Sequence, residues 1–278
     1  MTLRRGILFL AGVAACAGAL CAFQRPFREY PGQEYSDFPV PPDYQEKTEF
    51  VFARLMYPDT AGAFGFGFRR RFADWREGYT NWTNDYPRSD RHLMVALRRL
   101  TRIHVRSVEQ PVNLEDVDDV YNYPLLYMVR AGSGTFTDEQ AATLREYLAR
   151  GGFLIADDIW GDQEYDNFAE TIGRVLPNRA IVEVENADAA FHTVYDLDHR
   201  YQISGQWSLR SGVPYLNGGV VPHWRALYDD KKRLQVAVWV NNDTGDSWEW
   251  ADAPEYPERY SALGIRLAVN YVTYAMTH

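Results

Sequence analysis

The chain has 278 residues, 46% of them apolar and 15% aromatic, and a formal net charge of −9. That apolar fraction supplies a sizeable core, and the length fits one large domain or two small ones. The basic residues are scattered, the longest runs being Arg69-Arg70-Arg71 and Lys231-Lys232-Arg233. Nucleic acid, which needs a clustered Lys/Arg surface, is therefore not an expected partner.

Met1 to Arg5 is a short basic start, and Gly6 to Ala22 is an uncharged, Ala-rich apolar run. This is the pattern of a secretory signal peptide, too short and wrongly flanked for a membrane span. Export to the periplasm or the medium is expected, with residues 1–22 removed, a mature start near Phe23 and no membrane span thereafter. Val13-Ala14-Ala15-Cys16 resembles a lipobox and offers the alternative of a lipid anchor at Cys16, although apolar character continues through Leu20 where a lipoprotein turns polar. Both cysteines, Cys16 and Cys21, fall inside this segment, so the mature domain has no disulfide. Residues 23–47 carry Pro26, Pro31, Pro39, Pro41 and Pro42 among aromatics, which predicts an extended arm lying along the domain. Residues 48–278 are expected to form a single α/β domain.

Glu49 to Met56 reads as a first strand stopped by Tyr57-Pro58. A helix capped by Ser89 follows, with Leu93, Ala96, Leu97, Leu100 and Ile103 at helical spacing, and His104 to Val108 reads as a second strand. Tyr123 to Val129 is continuously apolar, as a strand covered on both faces is. Thr137-Asp138-Glu139-Gln140 is a capping box opening a helix that buries Leu144, Tyr147 and Leu148 and ends at Gly151. The strand Phe153 to Ala156 comes next, and strand, helix, strand in that order predicts a parallel pair. Further on, the pattern predicts a helix over 167–176, a strand over 180–184, a hairpin of Trp224–Tyr228 with Gln235–Val240, and a closing helix from Tyr260 to Met276.

The strand beginning at Phe153 ends in two consecutive carboxylates, Asp157 and Asp158, followed by Ile159-Trp160-Gly161. Ligands of open α/β sheets bind at the carboxyl ends of strands, so this pair marks the candidate site. The two acids could ligate a cation, accept hydrogen bonds from sugar hydroxyls or act as a general base, and His192 could join them. Adjacent residues of a strand diverge, so the pair alone cannot flank a glycosidic bond. Asp85, Arg88, Asp90 and His92 sit where a loop enters the Ser89 helix, a position that suits an anion or simple capping. Asn241 to Asp246 is oxygen-rich but does not have EF-hand spacing, and reads as a turn. Trp160, Trp248 and Trp250 could stack on sugar rings or fill the core.

The segments Phe52 to Pro58, Trp82 to Asp90, Gly151 to Gly161 and Gly245-Asp246-Ser247-Trp248-Glu249 together resemble the bacterial domain-of-unknown-function family 4159, over nearly the whole mature chain. The resemblance implies a class I glutamine amidotransferase-like fold, a three-layer α/β/α sandwich with a mostly parallel sheet. Thr137 to Leu154 is similar to the helix-then-strand unit of its ThuA-like branch. No mature cysteine and no Gly-x-Ser-x-Gly elbow is present, so Cys-dependent glutamine hydrolysis is excluded. The function expected is binding of a polar ligand, a carbohydrate or envelope component, in a cleft edged by Asp85, Asp157, Asp158, Trp160 and His192, with Arg88, Asp90, His92, Asp246, Trp248 and Glu249 around it. The alternatives are a hydrolase using Asp157, Asp158 and His192 with water or a metal, and an envelope scaffold that binds an envelope protein without a small ligand. No cofactor is expected, though a divalent cation suits the acids.

Overall fold

The computed structural model describes residues 25–35, 37–60 and 74–278; the expected export segment with Cys16 and Cys21, the start at Phe23 and the Arg69–Arg71 run lie outside them. In chain order the elements are β1 (Ala53–Met56), α1 (Arg88–Leu100), β2 (Gln110–Asn113), α2 (Val117–Val120), β3 (Leu125–Met128), α3 (Asp138–Ala149), β4 (Phe153–Ile159), α4 (Gly161–Val175), β5 (Val182–Glu183), α5 (Gln206–Ser211), β6 (His223–Tyr228), β7 (Leu234–Val240), α6 (Thr244–Glu249) and α7 (Glu258–Thr277). The described residues of the arm, 25–47, contain neither helix nor strand. None of the described helices is long and apolar enough to cross a membrane.

Alternate residues of the central strands feed two separate apolar cores, and this sets the layering. Along β4, Phe153 and Ile155 join one core while Leu154 and Ala156 join the other; β3 divides in the same way, Leu125 and Tyr127 against Leu126 and Met128. The first core takes Leu93, Met94 and Leu97 from α1 and Leu263 and Leu267 from α7, and the second takes Leu144 and Leu148 from α3 and Phe168 and Ile172 from α4. The result is a mixed α/β protein with helices on both faces of the sheet, a three-layer sandwich. The strands run as near-continuous apolar sequence because neither face meets water.

The seven strands lie in the order β2-β1-β3-β4-β7-β6-β5. The first five pair in parallel and the last two are antiparallel, with the β6–β7 hairpin as the sequence suggests. Leu125 to Met128 pairs in parallel with Phe153 to Ala156, the crossover expected from the Thr137 capping box. That box forms in full: Gln140 N donates to Thr137 Oγ1 at 3.2 Å and Thr137 N donates to Gln140 Oε1 at 3.0 Å. The order reverses direction between β1 and β3, and such a switch point opens a crevice outside the carboxyl ends of the strands.

Several boundaries differ from the periodicity, each for a local reason. The second strand is not His104 to Val108 but Gln110–Asn113, with Val105 making only an isolated bridge to Phe50. Pro111 conceals it, yet β2 is an edge strand and tolerates the missing N–H. Ser89 is not a cap, since α1 starts at Arg88 with Pro87 before it and no side-chain cap bond. The helix expected from Asn167 begins at Gly161, whose φ of +70° is a left-handed entry that helical periodicity does not reveal. Asn241 to Asp246 is not merely a turn: Asp243 caps α6 by accepting from Asp246 N at 3.1 Å.

Gly152 shows how tightly α3 is seated on the sheet. A Cβ there would lie 2.4 Å from the ring of Tyr147, whose hydroxyl is 3.2 Å from both Phe153 N and Phe153 O. We expect Gly152→Ala to destabilise the protein by about 1–3 kcal/mol through overpacking. Urea denaturation measures this, and an unchanged midpoint would show that Tyr147 is not wedged against the strand.

Candidate functional site

The carboxyl end of β4 is bulged. Ala156 pairs with Val238 and Ile159 with Val240, so three steps on β4 match two on β7, and Asp158 takes up the extra residue with φ at +56°. A bulge re-aims side chains locally, and Asp is among the residues that tolerate this conformation. Asp157 keeps the alternation of Phe153 and Ile155. It accepts from Tyr127 Oη at 2.9 Å and from the backbone of α6, Gly245 N at 3.0 Å and Thr244 N at 3.4 Å. Asp158 turns elsewhere, accepting from Trp160 Nε1 at 2.6 Å and facing Arg130 Nε at 3.7 Å. Arg130 also faces Glu164 at 3.7 Å. The two acids diverge, and each anchors a different neighbouring element.

A second group of acids lies beyond Asp157, around the start of α6. Asp85 reaches it from the loop before α1, again from a left-handed residue with φ at +59°. That loop is held by Arg54 of β1, whose five N–H groups all find acceptors: Asp90 Oδ1 and Oδ2 at 2.6 and 2.7 Å, Ser89 Oγ at 3.0 Å, and the carbonyls of Trp82 and Asn84 at 3.0 and 2.9 Å. Asp85 Oδ1 accepts from Asn84 Nδ2, while its buried Oδ2 has no hydrogen-bond partner. Asp243 and Asp246 close on Gly205, where a Cβ would lie 2.3 Å from Asp243 Oδ2 and 2.9 Å from Asp246 Oδ2. Gln206 N donates to Asp246 Oδ2 at 2.5 Å. Glu249 accepts from the arm through Tyr35 Oη on one oxygen, and its other oxygen, also buried, is unpartnered.

Carboxylate oxygens of Asp85, Asp243 and Asp246 lie within 4.8 Å of one another, as do those of Glu34, Asp85 and Glu249. All of these residues are buried except Glu34, which is exposed on the arm. Burial and mutual repulsion raise the pKa of Asp85, Asp243, Asp246 and Glu249 above the usual carboxylate range. Burial, then the Asp158 charge, pushes Asp157 up to about 7 against its hydrogen bonds. Two arginines stand close, but Arg54 is committed to Asp90 and Arg130 to Asp158 and Glu164. The donor set is oxygen only, which suits a hard cation such as Ca²⁺, Mg²⁺ or Mn²⁺.

Of the residues singled out in the sequence, the structure brings together Asp85, Asp157, Asp246 and Glu249, with Asp158 and Trp160 adjoining. Asp90 is instead the buried partner of Arg54, and Arg88 bonds Tyr35 Oη at 3.1 Å and Asp252 at 2.7 Å. His92 Nδ1 meets the carbonyls of Trp248 and Glu249 at 3.1 and 3.0 Å, holding the end of α6. Trp248 and Trp160 are both fully buried, Trp248 against Tyr127 and Phe52. His192 is bound to Asp196 and to the carbonyl of Asn186, apart from the carboxylates. Sequence reasoning passed over Arg54, Tyr127, Arg130 and Glu34, and read Asp243 only as part of an oxygen-rich turn. Only Asp243, three residues before Asp246 in cap spacing, carried a signal that could have found it.

Two outcomes follow. Arg54→Met leaves Asp90 buried without its partner and should cost about 3–5 kcal/mol, read by denaturant unfolding; a cost under 1 kcal/mol would mean that the pair does not hold the loop. The second concerns pH. A carboxyl whose folded pKa is raised binds protons more readily folded than unfolded, so its stabilising contribution is lost as pH rises from its unfolded value towards the folded one. With Asp157 at about 7 and its neighbours also raised, the melting temperature in EDTA should fall between pH 5 and pH 7.5. A rise across that window would contradict the burial of these acids.

Residues 71–276 match the family described as Domain of unknown function (DUF4159). Among curated proteins no significant match was found.

Proposed function

Because the chain belongs to the DUF4159 family, whose function is unknown, its own site has to carry the reading, and we propose that it is an exported binding protein of the amidotransferase-like superfold that holds a hard divalent cation at Asp85, Asp243 and Asp246. A polar, oxygen-rich ligand such as a carbohydrate or envelope component completes the coordination. The observation that carries this reading is Asp85 Oδ2, an oxygen of a residue 1% exposed that has no hydrogen-bond partner and belongs to a set of three carboxylates within 4.8 Å. A buried acceptor without a partner costs roughly 1–3 kcal/mol, more when charged, and a cation removes that cost. Hard cations of this class take six or more oxygens, so three carboxylates leave positions for water and ligand oxygens. The position at the carboxyl ends of the parallel strands, with Asp157 on β4 held by Tyr127 of β3 and by the helix that follows β7, supports the same reading, since open α/β sheets bind ligands at that edge.

Asp157 serves this site as a positioning group. Its carboxylate holds Tyr127 and the first N–H groups of α6, which sets Asp243 and Asp246 against Asp85. Cleavage chemistry through Asp157 is not favoured, because both its oxygens already accept hydrogen bonds.

Stripping the protein with EDTA and adding Ca²⁺, Mg²⁺ or Mn²⁺ tests the proposal. At a hundred times the Kd, a cation bound only to the folded state adds about 2.7 kcal/mol. For a chain of this size that is a rise of roughly 5–10 °C in melting temperature. The rise should be clearly reduced in Asp246→Asn, whereas no rise with any of the three cations at neutral pH would refute the reading.

A further inference from the structure

The second oxygen set points to more than one ion. We infer that Glu34, Asp85 and Glu249 form a second site for a hard divalent cation, with Asp85 bridging it to the first. This rests on the reading of the Asp85–Asp243–Asp246 set given above and extends it to a carboxylate-bridged pair supplied partly by the N-terminal arm.

Three observations carry it. Oxygens of Glu34, Asp85 and Glu249 lie within 4.8 Å of one another, and Asp85 is common to both sets. Glu249 is fully buried, one of its oxygens bonded by Tyr35 Oη and the other, Oε2, without a hydrogen-bond partner. Asp85 Oδ1 is occupied by Asn84 Nδ2 while Oδ2 is free, so a bridge through Oδ2 alone leaves that hydrogen bond intact. Glu34 is the exposed member, which places the second ion on the solvent side with open positions for water or for hydroxyl, carboxylate or phosphate oxygens of a ligand. Because Glu34 and Tyr35 belong to the arm while Glu249 belongs to α6, an ion here also ties the arm to the domain. The competing account is a proton shared between Glu249 and Asp246, which would satisfy the same oxygen without a metal.

The experiment uses Mn²⁺ with the EDTA-stripped full chain, read by titration calorimetry for stoichiometry and by electron paramagnetic resonance for coupling. The expected result is two Mn²⁺ per chain with an exchange-coupled spectrum. In Glu34→Gln, an isosteric change at an exposed position, one ion should remain with the uncoupled six-line signal, and Glu249→Gln should behave in the same way. One Mn²⁺ per chain, unchanged by Glu34→Gln, overturns the second site and leaves the first standing. Two ions without coupling overturn the Asp85 bridge. No Mn²⁺ bound by the unmodified chain overturns both readings in favour of the shared proton.

Discussion

Six carboxylates, Asp85, Asp157, Asp158, Asp243, Asp246 and Glu249, are buried together at the carboxyl edge of the sheet, and the described residues around them supply only two arginines, both already paired. Moving a carboxylate out of water costs several kcal/mol even after relaxation. The surrounding architecture is organised by that constraint. Each acid that can be given a fixed donor has one: Tyr127 and the α6 backbone for Asp157, Trp160 for Asp158, Gln206 N for Asp246, and Tyr35 for Glu249. What the protein's own donors leave over is concentrated on Asp85 Oδ2 and Glu249 Oε2. These two buried oxygens are the ones for which the described residues provide no hydrogen-bond donor.

The backbone pays for this convergence in left-handed residues. Asp85, Arg130, Asp158 and Asn241 all have φ between +47° and +59°, and each lies where a segment turns into the site: before α1, after β3, within the β4 bulge and after β7. Asp and Asn accept this region at small cost, whereas Arg130 does not share that tolerance. Such clusters persist only where surrounding structure over-determines them. Here the determinants can be named. Arg54 clamps the Asp85 loop, Asn241 Oδ1 accepts from Gly161 N at 2.9 Å, and Asn241 Nδ2 donates to Val221 O at 2.7 Å.

The arm adds a further layer. Arg91 binds Glu29 and the carbonyls of Phe38 and Pro39, Arg98 binds Asp43, and Tyr35 closes over Glu249. The proline-rich stretch therefore lies along the domain, anchored at α1 and at the acid cluster, and contributes one exposed carboxylate to it. A segment without secondary structure of its own gains order only from such contacts, so its seat and the charge state of the cluster are coupled.

Much of the layering was open to a reading of the sequence alone, because it rests on local rules. The capping box at Thr137, the apolar runs of β3, β4 and β7, and the glycines after α3 specify elements whatever surrounds them, and strand-helix-strand order implies the parallel pair. The Asp157-Asp158 pair at a strand end was visible for the same reason. Tertiary structure decided which acids meet: Asp85, Asp157 and the Asp246 and Glu249 of α6 come from three distant parts of the sequence, and their convergence depends on the strand order, the bulge at Asp158 and the clamp of Arg54, none of which has a short-range signature. It likewise removed His192, Asp90 and Trp248 from the cluster, since a side chain's partner is set by packing between elements and not by its neighbours along the chain. Local hydrogen-bonding and hydrophobic period act over a few residues; neutralising buried charge acts across the whole fold, and so only the folded chain determines how these acids are satisfied.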